Sequence, residues 1–159
     1  MTRRINFAKE SPNLMKKFME FVTATKENSV EESIRNLVNV RIAQLNNCTY
    51  CLDMHIKQAK IQGERELRLY HVASWRESTL FAPRERAALA WAEIVTKLPD
   101  LGVPDEIYER VRSHLSEKEI SDLTFAVMSA NAWTRVNAAF KSVPGSSDAM
   151  LGLDKADLK

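Results

Sequence analysis

Apolar residues recur along this chain at three- and four-residue spacing, with almost no apolar–polar alternation. That period belongs to helices with one buried face rather than to strands. Start and stop signals divide the pattern into elements. Ser11-Pro12 reads as an N-cap and first-turn proline, opening a helix with Leu14, Phe18, Phe21 and Val22 on one side. Ser29 and Glu32 have capping-box spacing, and the helix after them carries Ile34, Leu37, Val38, Ile42 and Leu45. Its end is expected at Asn46-Asn47, because asparagine tolerates left-handed backbone better than most residues. A third helix is expected from near Cys48 to Gly63, and a fourth over Glu64 to Trp75. A loop follows at residues 76–82, and Pro83 opens a fifth helix with Ala87, Leu89, Ala90, Trp91 and Val95. Pro104 opens a short sixth. Ser116 and Glu119 form a second capping box at the head of the longest helix, about Glu117 to Lys141, which Pro144-Gly145 terminates. Met150, Leu151 and Leu153 in the tail have the character of docking residues. These signals predict an all-α bundle of about seven helices.

Composition narrows the class. A chain of 159 residues suits a single domain spanning residues 1–159, and 45% hydrophobic residues is ordinary for a globular protein. The net charge is +2 with no block of like charges, so neither nucleic acid nor a membrane surface is an expected partner. Residues 1–7 lead into no apolar run, which argues against a secretory signal. The expected compartment is the cytoplasm.

The candidate chemistry lies at the start of the third helix. The chain has two cysteines, Cys48 and Cys51, too close in sequence to staple a fold by loop closure. In a reducing compartment such a pair reads as redox-active or metal-binding. On a helical wheel Cys48, Cys51 and His55 fall within an arc of roughly 60°, and Asp53 points away. A helix N-terminus stabilises a thiolate. His55 stands one turn beyond Cys51 and can take its proton, directly or through one water. Cys51 is therefore expected to attack and Cys48 to resolve, although in many Cys-x-x-Cys motifs the first cysteine is the nucleophile. Structural zinc is the competing use of the pair, but it needs a fourth ligand, and His71 and His114 are the only other histidines. No metal and no cofactor are expected.

The run from Arg41 to His55, RIAQLNNCTYCLDMH, resembles the signature of the alkylhydroperoxidase D-like (carboxymuconolactone decarboxylase) family. The resemblance continues through Ser74-Trp75-Arg76-Glu77, Leu80-Phe81, the segment Arg84 to Trp91, and Asn131-Ala132-Trp133-Thr134-Arg135-Val136-Asn137. It covers about residues 30–142, leaving 143–159 as a C-terminal tail. It implies an AhpD-like bundle that assembles as a homo-oligomer, a trimer or hexamer. It also implies a thiol-dependent peroxidase that reduces small organic hydroperoxides and is recharged by a dithiol or thioredoxin-like donor. Decarboxylases of the wider family lack the cysteine pair. The redox members carry a glutamate twelve residues before the first cysteine as part of a proton relay; here that position is Asn36, and Glu32 lies one turn earlier. The better-studied peroxidases have histidine where this chain has Tyr50, a poor base near neutral pH. Asn36, Glu32 and Tyr50 are thus candidate relay or pocket residues. A non-enzymatic redox sensor or interaction protein of the same fold is the alternative that the asparagine suggests.

The remaining candidates read more plainly. Trp75, Trp91 and Trp133 are expected as core or interface anchors, Arg135 and Asn137 at helix ends or a subunit contact, and Arg84-Glu85-Arg86 as a solvated first turn. Leu45, Leu52 and Met54 suit either a hydrophobic peroxide pocket or the bundle core.

Overall fold

A computed structural model describes residues 2–158. Met1 and Lys159, the ends of the expected 1–159 domain and of its tail, lie outside them. Among the described residues there is no strand. The helices are α1 (Phe7–Glu10), α2 (Pro12–Ala24), α3 (Glu32–Leu45), α4 (Thr49–Ile61), α5 (Glu66–His71), α6 (Pro83–Thr96), α7 (Asp105–Arg112), α8 (Glu117–Phe140) and α9 (Asp148–Leu151), with 3₁₀ turns at Val72–Ser74 and Leu153–Ala156. Seven of the nine α-helices described have six or more residues, in line with the sequence pattern.

The bundle is built around α3, which packs against α4, α6 and α8. Leu37, Val38, Val40, Ile42 and Ala43 are all buried, so apolar residues occupy most of its circumference. A helix apolar on most sides needs neighbours on most sides. Leu89 and Ala92 of α6 and Leu123 and Val127 of α8 complete the core. No helix among the described residues is long and apolar enough to cross a membrane.

Several local expectations change in three dimensions. Ser29 does not cap α3. Its backbone N–H and its hydroxyl both donate to Asp122 of α8, and Glu31 is the N-cap residue. The expected fourth helix shortens to α5 and a 3₁₀ turn. Pro104 is the N-cap of α7 rather than its first residue. Arg84, Glu85 and Arg86 are clamps rather than a solvated turn. Arg84 pairs with Glu31 and Glu119, Glu85 pairs with Arg68, and Arg86 donates to the carbonyls of Trp75, Arg76 and Ser78. These two arginines and the glutamate tie the start of α6 to α3, α5, α8 and the loop before it. The Ser116–Glu119 capping box forms as expected.

The tail turns back onto the body of the molecule. Leu153 and Ala156 are buried and their 3₁₀ turn packs on α4, whereas Met150 stays 78% exposed. Lys57 of α4, itself buried, pairs with Asp53 at 2.9 Å and with Asp148 at 2.6 Å. The Gly145 N–H donates to Asp53, and the Tyr50 hydroxyl donates to Ser147 at 2.7 Å.

Candidate active site

The site is made by the corner between α3 and α4. Asn46 caps α3 and Asn47 takes a φ of +51°, the left-handed geometry that ends helices. The Asn47 N–H donates to the Gln44 carbonyl and the Cys48 N–H to the Ala43 carbonyl, which is the Schellman pattern. The second residue past that cap is Cys48, which is at once the N-cap of α4. Two helices thus meet with no spare residue, and Cys48 is fixed at the positive end of α4. Its sulfur accepts the Cys51 N–H at 3.3 Å, the bond a serine or aspartate makes at an N-cap. Cys48 and Cys51 are joined by a disulfide, and each is 3% exposed.

Buried polar residues on α8 hold the corner. Asn131, Thr134 and Asn137 recur every three residues along the second half of this helix, and all three are buried. Asn46 donates its amide to Asn131 at 2.9 Å and to Thr134 at 3.4 Å. Asn131 in turn donates to Thr96 of α6. Asn137 reaches the cysteine pair itself, donating from Nδ2 to Cys51 Sγ at 3.7 Å. The expectation for Asn137, a helix end or a subunit contact, is corrected: its side chain faces the sulfur. The signal was present in the sequence as polar residues at helical spacing among the apolar residues of this helix. Their partners, 35 to 88 positions away, were not.

The other expected site residues divide into two groups. His55 is on α4 one turn beyond Cys51, partly exposed, and no hydrogen bond among the described residues joins it to either sulfur. Burial of the imidazole pushes its pKa down to about 4, opposed by a hydrogen bond with Gln58. His55 is therefore neutral at pH 7 and a weaker base than an ordinary imidazole. Tyr50 is tied to the tail through Ser147. Asn36 and Glu32 stand elsewhere. Asn36 donates to Gln62 Oε1, and Gln62 Nε2 donates to Glu32. Gln62 is the C-cap of α4, about 16 Å along the axis from Cys51. Leu52 packs against the core and the corner, and Leu45 lines a cavity of about 760 Å³ between α3, α6 and α7. That cavity is walled by Trp75, Ala90, Ile94 and Ile107 with Arg76 and Arg110, and neither cysteine nor His55 borders it. Glu93 on its wall is pushed up by burial, but its bonds with Arg76, Trp75 and Arg41 prevail and hold it below the ordinary carboxylate range. No group of three or more His, Cys, Asp or Glu side chains gathers as metal ligands among the described residues.

An all-helical bundle with a Cys-x-x-Cys pair at the mouth of a helix defines the AhpD-like class. The chain belongs to the carboxymuconolactone decarboxylase family, whose profile matches residues 12–93. It is 37% identical over 139 residues to the uncharacterized protein YdfG of Bacillus subtilis, covering 87% of this chain and 95% of that one. A crystal structure of a protein of unknown function from Agrobacterium tumefaciens, suggested to be an antioxidant defence protein AhpD, superposes with a TM-score of 0.86. It is 34% identical, over 90% of this chain and 98% of the other. An uncharacterized peroxidase-related protein from Ralstonia eutropha JMP134, with an alkylhydroperoxidase AhpD core, shares the fold at a TM-score of 0.77 and 21% identity, covering 88% and 75% of the two chains.

Proposed function

We propose that this chain is a cytoplasmic thiol peroxidase that reduces small organic hydroperoxides through Cys48 and Cys51. One observation carries the reading: the two sulfurs lie joined at the opening of α4, one accepting a backbone N–H and the other a buried side-chain amide. Each donor stabilises negative charge on sulfur, and a thiolate is the form that attacks a peroxide. The resemblance to AhpD proteins and the family membership agree with it.

In the oxidative half, the Cys51 thiolate attacks the terminal peroxide oxygen. The S–O bond forms, the O–O bond breaks, and the departing alkoxide takes a proton and leaves as the alcohol. His55, neutral at pH 7, passes the Cys51 proton on to solvent through one water rather than holding it, because its pKa of about 4 lies well below that of a thiol. The Cys48 thiolate then attacks Cys51 Sγ of the sulfenic acid; the S–S bond forms and hydroxide leaves, protonated, as water. A dithiol or thioredoxin-like donor, itself oxidised to a disulfide, restores both thiols by exchange. Both cysteines are 3% exposed, so peroxide and donor reach them when the surrounding elements move.

Cys51→Ser should abolish consumption of an organic hydroperoxide in the presence of a dithiol, with the helical circular dichroism spectrum unchanged. Turnover equal to that of the unaltered chain would refute the assignment.

A further inference from the structure

We propose that Asn137 is a residue of the redox centre: its side-chain amide holds Cys51 Sγ and stabilises negative charge there. This rests on the reading of Cys48 and Cys51 as the working pair. Cys51 Sγ lies 3.7 Å from Nδ2 of Asn137, within hydrogen-bond reach for sulfur, and Asn137 is 5% exposed. Among the described residues, this is the only hydrogen bond of its side chain. The helix-end duty at this position belongs to the backbone: the Asn137 carbonyl accepts the Ser142 N–H at 3.0 Å. Ending α8 therefore does not require an amide side chain, and an apolar residue would fill the buried space without presenting a polar group to be satisfied. An amide N–H aimed at sulfur favours thiolate over thiol, because it bonds the anion more strongly.

The two sulfurs are served by different donors. Cys48 takes the first-turn N–H of its own helix, and Cys51 takes a side chain from a helix 86 positions away. Asn137 consequently acts on Cys51 selectively and at two points in the cycle. Before oxidation it raises the thiolate fraction of the attacking sulfur. During recharging, a donor thiolate forms a bond to Cys48 Sγ while the Cys48–Cys51 bond breaks. The electron pair leaves on Cys51, the sulfur that Asn137 stabilises. A leaving thiolate of lower pKa departs faster.

The test reads the sulfur directly, with no peroxide present. In a Cys48→Ser background, where serine retains the N-cap, the rate of Cys51 alkylation by iodoacetamide is followed against pH. The midpoint should lie below about 8.5, the ordinary thiol value. Asn137→Leu and the equal-sized Asn137→Asp should each raise it by about one pH unit, slowing alkylation near neutral pH up to about tenfold. In a Cys51→Ser background Asn137→Leu, which adds no charge, should leave the Cys48 midpoint in place. A Cys51 midpoint at or above the ordinary value with Asn137 intact would overturn the proposal. So would an unmoved midpoint in the Leu variant, or equal movement at both cysteines in that variant, which would mark a structural role. Since no step of this titration involves peroxide turnover, loss of the peroxidase assignment and loss of the Asn137 assignment are separate results.

Discussion

His55 carries a cost in acid. Its folded-state pKa of about 4 lies below the ordinary 6.5 because the protein packed around the half-buried ring disfavours its charged form. Between those values the unfolded chain binds a proton that the folded chain refuses, so stability falls as pH drops from 6.5 toward 4 and is fully present above 6.5. The displacement corresponds to at most about 3 kcal/mol. Denaturant titrations at pH 7 and pH 4.5 should show His55→Gln losing about 2 kcal/mol less across that interval than the unaltered chain. Equal losses would mean that His55 does not titrate as its burial dictates. The same displacement places any acid limb of peroxide turnover due to His55 near pH 4 rather than 6.5.

At the scale of elements, two features fix α4. The first is the corner. Asn47 holds a φ of +51°, where a side chain branched at Cβ is strained and glycine is not. Asn47→Gly should be within about 0.5 kcal/mol of the unaltered chain, whereas Asn47→Val should cost about 1–2 kcal/mol, read from urea midpoints. The second is the tail clasp. Lys57 joins Asp53 and Asp148 at an 8% exposed side chain, and both carboxylates raise its pKa through hydrogen bonds, Asp148 most. Lys57→Met should leave two facing carboxylates without their cation and cost about 1–3 kcal/mol, less than a wholly buried pair because the carboxylates keep some solvent. Limited proteolysis should then cut within residues 145–156 faster than in the unaltered chain. Unchanged cleavage would show that Leu153 and Ala156 alone keep the tail down.

For the whole molecule, the homo-oligomer implied by the family resemblance needs a surface. Phe125 and Met128 are 48% and 49% exposed and lie three apart on α8, with Phe125 also edge-on to Phe21 of α2. We propose that a second copy of the chain covers this face. Light scattering on a sizing column should give a multiple of 18.1 kDa, and Phe125→Asp should shift it toward the single chain. A single-chain mass for the unaltered protein at micromolar concentration would remove the assembly. Charged clamps act at the same scale. Arg84 joins Glu31 and Glu119, holding Glu119 down at about pKa 2, so α3, α6 and α8 are tied at one end of the bundle.

Helix periods, caps and breakers are local, carried by residues a turn or two apart. For that reason Pro12, Pro83, the Ser116–Glu119 box and the Asn46-Asn47 stop could all be read from the chain. The placing of Cys48 at a helix mouth, with Cys51 one turn on, follows from the same short-range rules. What the chain order could not convey were pairings set by how helices cross. Ser29 serves Asp122 rather than its own helix, Arg84 reaches two other helices, Asn36 bonds to Gln62 at the far end of α4, and Asn137 faces Cys51. Each of these groups had a plausible neighbour or water nearby in sequence. Packing decided among them, because burying an amide or a charge is tolerable only where the folded chain supplies its partner.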